Sequence, residues 1–141
     1  MNNSSNKKSH KRLLIVLLFA IITAGGIFMF SMLGKSQEER RNREYEVSLV
    51  NALKNSYQGI EEIKISNPNY TNPPGSWSCD VEIKFIDEKT LKYGINHHLS
   101  YKTNYGGRQE TNEDWQYLET HRGKTLKSVK ITYSDSEQGE L

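Results

Sequence analysis

Residues 77–85 read Trp77-Ser-Cys-Asp-Val-Glu-Ile-Lys-Phe85, and residues 91–101 read Leu91-Lys-Tyr-Gly-Ile-Asn-His-His-Leu-Ser-Tyr101. In both segments apolar or aromatic residues hold most odd positions and polar residues hold the even ones. Such alternation is typical of antiparallel strands that bury one face and expose the other. The two segments therefore predict a hairpin at the centre of a sheet.

The pairing within this hairpin is restricted, because opposite residues in an antiparallel pair share a face. A three-residue loop at 87–89 keeps the apolar residues on one face but sets Lys84 opposite Lys92. A loop two residues longer avoids that pair and places Val81 opposite His97. Like charges directly opposite each other are unfavourable, so we favour the longer loop.

Two further segments alternate in the same way, at 60–65 and 129–133. Upstream of them, residues 37–57 predict a helix, with an apolar stripe formed by Leu49, Val50 and Leu53. Such a stripe normally covers the protein's own sheet, and the charged first half of the helix is interpreted as a solvated stalk. Together these elements predict an α+β domain with one amphipathic helix and an antiparallel sheet of about four strands.

Two polar stretches between the strands are rich in turn formers. Residues 66–76 contain all three prolines of the chain, and we expect no regular structure there. Residues 102–114 are similar, but Thr111 followed by Asp114 resembles a helix N-cap and predicts a short helix over 112–120.

Before the helix the sequence is apolar without interruption. Between Leu13 and Leu33 there is no charge, and 17 of the 21 residues are hydrophobic. A helix of this length rises about 32 Å, which matches a hydrocarbon core of about 30 Å. We expect a membrane anchor, with the lipid bilayer as a partner.

The flanks of the anchor indicate how it is processed and oriented. Cleavage after Ala24 or Gly34 would place Ile22 or Met32 at position −3, where signal peptidase requires a small residue. The anchor is therefore expected to stay uncleaved. Four basic residues lie in the twelve-residue tail before the anchor, and four more follow it within ten residues, so the count alone does not decide the orientation. Because the upstream charges are concentrated in a short tail and the whole polar domain lies downstream, we expect a cytoplasmic N-terminus and an extracytoplasmic C-terminal domain.

The distribution of charge argues against nucleic-acid binding. Residues 1–43 hold eight basic and two acidic groups, whereas residues 44–141 hold 11 basic and 15 acidic groups. The predicted domain is thus mildly acidic and lacks the basic face that phosphates require. No nucleic-acid partner is expected.

The residues that could carry chemistry favour a structural interpretation. His97 and His98 are adjacent on a strand and point to opposite faces, so they cannot bind one metal ion together. Cys79 is in phase with the buried face and is interpreted as a small core residue. We expect no catalytic residues, no metal and no cofactor.

Aromatic residues flank the two polar stretches. Trp77 and Tyr101 continue the strand alternation and are expected in the core. Tyr70, Tyr105 and Trp115 lie among polar residues, and that mixture is typical of protein recognition surfaces. We predict that these three residues contact an unidentified protein or envelope component.

The layout also resembles a group of known proteins. A basic tail, one anchor and a charged helix are followed by Ser66-Asn-Pro-Asn-Tyr70, Pro73-Pro-Gly-Ser-Trp77 and Val81-Glu-Ile-Lys-Phe85. This arrangement is similar to small single-pass membrane-anchored extracytoplasmic proteins of low-GC Gram-positive bacteria. Most of those families are uncharacterised, and some similar ones act as immunity proteins against secreted toxins. The resemblance implies an envelope binding protein and assigns no active residue.

The sequence thus divides into a tail, an anchor, a helix, a β domain and a C-terminal tail, at 1–12, 13–34, 35–58, 59–135 and 136–141 respectively. The expected function is a non-catalytic, membrane-anchored extracytoplasmic binding module. An alternative is a structural subunit of a membrane complex that assembles through the anchor and the charged helix.

Overall fold

The computed structural model describes residues 34–141, and the predicted tail and nearly all of the predicted anchor lie outside that range. No helix within 34–141 has both the length and the apolar character needed to cross a membrane. The described residues form an α+β domain of two helices and a six-stranded sheet, which confirms the predicted class. In chain order the elements are α1 (Gln37–Ser56), β1 (Ile60–Thr71), β2 (Ser76–Phe85), β3 (Thr90–His97), β4 (Arg108–Gln109), α2 (Asn112–Thr120), β5 (Lys130–Thr132) and β6 (Gln138–Glu140).

Helix α1 begins with an N-cap at Ser36. The Oγ of Ser36 accepts a hydrogen bond from the backbone N–H of Glu39 at 3.2 Å and donates to the Glu39 carboxylate at 3.1 Å. Further along, Leu49, Val50 and Leu53 are fully buried against the sheet. The predicted apolar stripe therefore covers the protein's own sheet.

The strand order is β4-β3-β2-β1-β5-β6, and β1 and β5 run parallel. The prediction of an antiparallel sheet of about four strands was wrong in direction and number. Alternation reports that one face of a strand is buried, but it does not report the direction of the neighbouring strand. Strands β4 and β6 have two and three residues, too few for a period of two to be recognised.

The central hairpin is shorter than predicted. Phe85 N–H donates to the carbonyl of Lys89 at 2.9 Å, and Glu88 adopts a positive φ of 70°, so only residues 86–88 form the loop. Trp77 lies opposite His97, which corrects the predicted pairing of Val81 with His97. The face assignment was correct, but the turn begins at residue 86 rather than 87.

The observed pairing agrees better than either pairing considered from the sequence with the rule that like charges do not lie opposite each other. Glu82 lies opposite Lys92, with their charged atoms 3.8 Å apart, and Lys84 lies opposite Thr90. The electrostatic criterion was sound, and the error came from the assumed start of the turn.

Strand β1 continues into the first proline-containing stretch, which was expected to be irregular. It pairs with β2 up to Thr71, and a register shift between Ser66 and Asn69 accommodates Pro68. Asn67 takes a positive φ of 52° at this bulge. A bulge tolerates the missing N–H of proline, so pairing resumes beyond it.

The sheet has one covered face and one open face. Helix α1 covers the face that carries the apolar residues, and the other face exposes the polar residues that alternate with them. The segment 136–141, predicted as a tail, contains β6, and Leu141 and Val129 exchange two backbone hydrogen bonds at 2.7 and 3.0 Å. Helix α2 begins at the predicted N-cap, where Thr111 Oγ1 accepts from Asp114 N–H at 3.1 Å.

Candidate functional site

Tyr70 is half-buried at the far end of β1. The guanidinium of Arg41 lies over its ring, 4.1 Å from the centroid, and the Tyr45 ring lies 6.1 Å away centroid to centroid. Both contacts come from the first half of α1. Tyr70 therefore packs against the helix instead of projecting from a loop, and little of its ring is open to a partner.

Tyr105 is 41% exposed but is also flanked on the protein side. The Arg122 guanidinium lies 4.2 Å from its ring centroid, and Tyr57 packs against it edge to face at 5.8 Å. Trp115, on α2, is 50% exposed. Of the three predicted recognition residues, Trp115 is the most accessible.

The structure does not bring Tyr70 and Tyr105 together. Tyr70 contacts Arg41, near the start of α1, whereas Tyr105 contacts Tyr57, at the end of α1. Those helix positions are about 24 Å apart at 1.5 Å per residue. A single partner surface made of both tyrosines is therefore not supported.

A groove of about 500 Å³ lies between the second half of β3 and the loop that follows it. Tyr101 stands at this groove with 52% of its surface exposed, which corrects its predicted place in the core. Strand β3 ends at His97, so the alternation no longer dictates the orientation of residue 101. The groove is lined by Gly94, Ile95, Asn96, Tyr101, Thr103, Asn104, Tyr105, Gly106, Gly107 and Arg108.

Asn104 holds the groove loop against the rest of the domain. It is 6% exposed, and its backbone N–H donates to Ser56 Oγ at 2.7 Å. Its side-chain amide donates to the carbonyl of Asn96 at 2.9 Å and accepts from the N–H of Gly106 at 3.0 Å. The backbone and side-chain groups of one buried asparagine thus link helix, strand and loop.

The same amide fixes the protonation state of His97, which is 4% exposed. Asn104 Nδ2 lies 3.1 Å from His97 Nδ1, and because this amide nitrogen is a donor, Nδ1 must accept. The ring proton is then on Nε2, which donates to Ser48 Oγ at 2.9 Å. Burial, with a smaller contribution from His98, lowers the pKa of His97 to about 4.

Gly107 allows the loop to lie directly on the core. It has a φ of 114°, and a Cβ at this position would lie 2.5 Å from two ring carbons of Tyr93. No other residue fits without a shift of the loop or the ring. The polypeptide can therefore run close to β3 and form one wall of the groove.

Arg108 supplies the only charged side chain among the residues that line the groove. Its Nη2 and the Oδ1 of Asp80 would each lie 3.4 Å from a Cβ placed on Gly94. The guanidinium therefore lies beside Gly94, at van der Waals distance from where a Cβ would stand. The groove combines two exposed aromatic rings, those of Tyr101 and Tyr105, with amide and hydroxyl groups and a cation at its edge.

Cys79 and His97 do not form a nucleophilic pair. Cys79 lies opposite Ile95, is 4% exposed, and has its thiol pKa raised by burial. His97 points to the covered face of the sheet, and both of its nitrogens have hydrogen-bond partners. Neither side chain lines the groove.

Within residues 34–141, no group of three or more His, Cys, Asp or Glu side chains is positioned to hold a metal ion. Comparison of the chain with protein-family models, characterised proteins and solved structures found no match.

Proposed function

We propose that the protein is a single-pass, membrane-anchored binding module whose domain lies outside the cytoplasm and acts without catalysis. The observation that carries this proposal is the groove beside β3, where the exposed Tyr101 and the charged Arg108 flank a surface of amides and glycine backbone. Exposed aromatic rings and arginine are enriched where proteins recognise partners. The partner is a protein or another component of the cell envelope.

The buried state of Cys79 supports the absence of a thiol mechanism. A nucleophilic cysteine needs an accessible, lowered-pKa thiol near a base, and Cys79 has the opposite properties. The anchor is supported by the uncharged run between Leu13 and Leu33.

The alternative, assembly through the anchor and the charged helix, receives less support. Arg43 and Glu46, in the charged half of α1, are 1% exposed and bond to residues of the last hairpin. Both side chains are bonded within the domain and are not presented to another subunit.

Site-specific photocrosslinking in intact cells tests the groove. A photoreactive residue replaces Thr103, at the groove, in the full-length chain, and a matched one replaces Lys130, on the open face of the sheet. We expect a crosslinked partner from position 103 that disappears when Tyr101→Ala or Arg108→Ala is added. The same crosslinks from position 130, or crosslinks unaffected by both substitutions, would contradict the groove.

Topology is tested independently with a reporter. An alkaline phosphatase fused after Leu141 should be active in cells, because that enzyme folds only outside the cytoplasm. An inactive phosphatase fusion, together with an active cytoplasmic reporter fused at the same position, would contradict the proposed orientation.

A further inference from the structure

The junction between the apolar run and the domain is very short. Leu33 ends the run, and the Nζ of Lys35 already lies 2.6 Å from Asp135 Oδ2 and 2.8 Å from Glu137 Oε1. Gly34, with a φ of 78°, is the one residue between them. In the sequence, therefore, a single residue separates the end of the apolar run from the first residue bonded to the domain.

A second cation reinforces the same contact. Arg43 is 1% exposed, and its Nη2 donates to Asp135 and to Glu137, each at 2.9 Å. Its guanidinium also lies 3.8 Å from the ring centroid of Tyr133. We call Lys35, Arg43, Asp135 and Glu137 the junction cluster. It fixes the turn between β5 and β6 to the start of α1.

The junction cluster carries two cations and two carboxylates, so its formal charge is zero. Hydrogen bonds to both acids raise the pKa of Lys35. Burial raises the pKa of Asp135, but the bond from Lys35 and the neighbouring Arg43 hold it below its ordinary value overall. All four groups are charged at neutral pH, and their charges compensate one another.

Chain geometry limits how far this turn can be from the end of the apolar run. Consecutive Cα atoms are 3.8 Å apart, so the Cα of Lys35 is within about 8 Å of the Cα of Leu33. The polar layer on each side of a hydrocarbon core is about 5–8 Å thick. A turn bonded to the end of the Lys35 side chain is thus placed in the headgroup layer or at its outer surface when the anchor spans the bilayer.

We propose that the turn between β5 and β6 is seated in the phospholipid headgroup layer and that the junction cluster holds the domain rigidly on the membrane. This inference rests on the proposed anchoring. Charge compensation makes lipid a compatible occupant, because a neutral cluster approaches anionic headgroups without the repulsion that Asp135 and Glu137 alone would meet.

The opposite end of the domain provides an internal control. Leu126 is 89% exposed, and the preceding Thr125 donates its N–H to the carbonyl of Lys54 at 2.8 Å, in the last turn of α1. Lys54 is about 25 Å along the helix from Gln37. A domain seated at the junction cluster holds Leu126 away from the lipid.

Fluorescence quenching in vesicles tests the proposal. Single-cysteine variants Ser136→Cys and Leu126→Cys of the full-length chain, each with Cys79→Ala, are labelled with one fluorophore and reconstituted in phosphatidylglycerol/phosphatidylethanolamine vesicles. A nitroxide on the lipid headgroup then serves as quencher. We expect the probe at position 136 to be quenched at least about threefold more than the probe at 126, because quenching decays within the thickness of the headgroup layer. Equal quenching at both positions would contradict the placement of this turn in the headgroup layer.

A variant with a longer linker tests whether the domain is held rigidly at the membrane or is merely close to it. Six Gly and Ser residues inserted between Gly34 and Lys35 leave the junction cluster intact but release the domain, and quenching at 136 should fall to the level at 126. Unchanged quenching would contradict rigid attachment by the junction. Flotation distinguishes the two proposals. A chain that does not float with vesicles refutes the anchoring itself. A chain that floats without selective quenching at 136 refutes only the placement of the turn in the headgroup layer.

Discussion

His97 accepts a hydrogen bond at Nδ1 from the side chain of Asn104, at 3.1 Å, on the covered face of the sheet. That contact forces a neutral ring, because a proton on Nδ1 would face the amide N–H. The stability of the domain therefore depends on pH in part through this ring.

Acidification from pH 6.5 to pH 4 should destabilise the domain through His97. The pKa is about 4 in the folded state, against about 6.5 in the unfolded state, so the unfolded chain binds the proton more readily in this window. The contribution is fully present above pH 6.5 and is lost as the pH falls, by at most about 3 kcal/mol. Denaturant titrations of the full-length chain in nonionic detergent, followed by tryptophan fluorescence, measure this loss.

The matched controls for that experiment are His97→Gln and His98→Gln. Carboxylates also titrate in this range, so the informative quantity is the difference between each variant and the native chain. The slope of stability against pH should be reduced in His97→Gln and kept in His98→Gln, whose side chain is exposed on the opposite face. Identical slopes in all three chains would exclude His97 as the source.

Replacement of Arg43 by Met should lower the free energy of unfolding by about 2 kcal/mol, because Asp135 and Glu137 lose the hydrogen bonds from the buried guanidinium and keep only Lys35. Arg40→Met, at an exposed position of the same helix, should stay within about 0.5 kcal/mol. Chemical denaturation of the two variants compares them directly. Equal losses would show that the buried ion pairs are unimportant.

Gly107→Ala should destabilise the domain by about 2 kcal/mol, because the new Cβ meets the Tyr93 ring at a positive φ. The neighbouring Gly106→Ala is a milder change, since its Cβ would lie 3.2 Å from the Asn104 side chain. Hydrogen exchange of the loop amides should show faster opening in Gly107→Ala than in Gly106→Ala. The reverse order would contradict the close approach of the loop to the core.

Native Cys79 should react with a maleimide on the order of 100-fold more slowly than after unfolding in guanidinium, because modification requires local opening of the sheet. Burial both hides the thiol and raises its pKa. A chain that carries Cys only at position 136, in an exposed turn, should label at the same rate in both conditions. Fast labelling of native Cys79 would show that β2 opens readily.

Local signals in the sequence predicted the two helices well. The N-cap formed by Thr111 and Asp114, three residues apart, was recognised in the sequence because it depends only on its own turn. The buried faces of β2 and β3 were predictable for the same reason, since alternation is a property of each strand. The equally local cap formed by Ser36 and Glu39 was not singled out.

Features that join distant parts of the chain were not predictable. Arg43 meets Asp135 across 92 residues, and nothing in either segment signals the other. The groove was missed because Asn104, in a polar stretch, is indistinguishable in sequence from a solvated asparagine. Its burial follows from Ser56 and His97, which come from a helix and a strand.

The pairing of Ile63 with Ile131 has a consequence for how the protein is made. The outer edge of β1 has no neighbour until β5 has been translated, so the nascent chain holds an unfinished sheet from the completion of β1 at Thr71 until β5 begins at Lys130. An open edge of that kind is a template for pairing with other chains. The sheet can therefore be completed only late in translation, and a chain that is truncated before residue 130 is expected to aggregate.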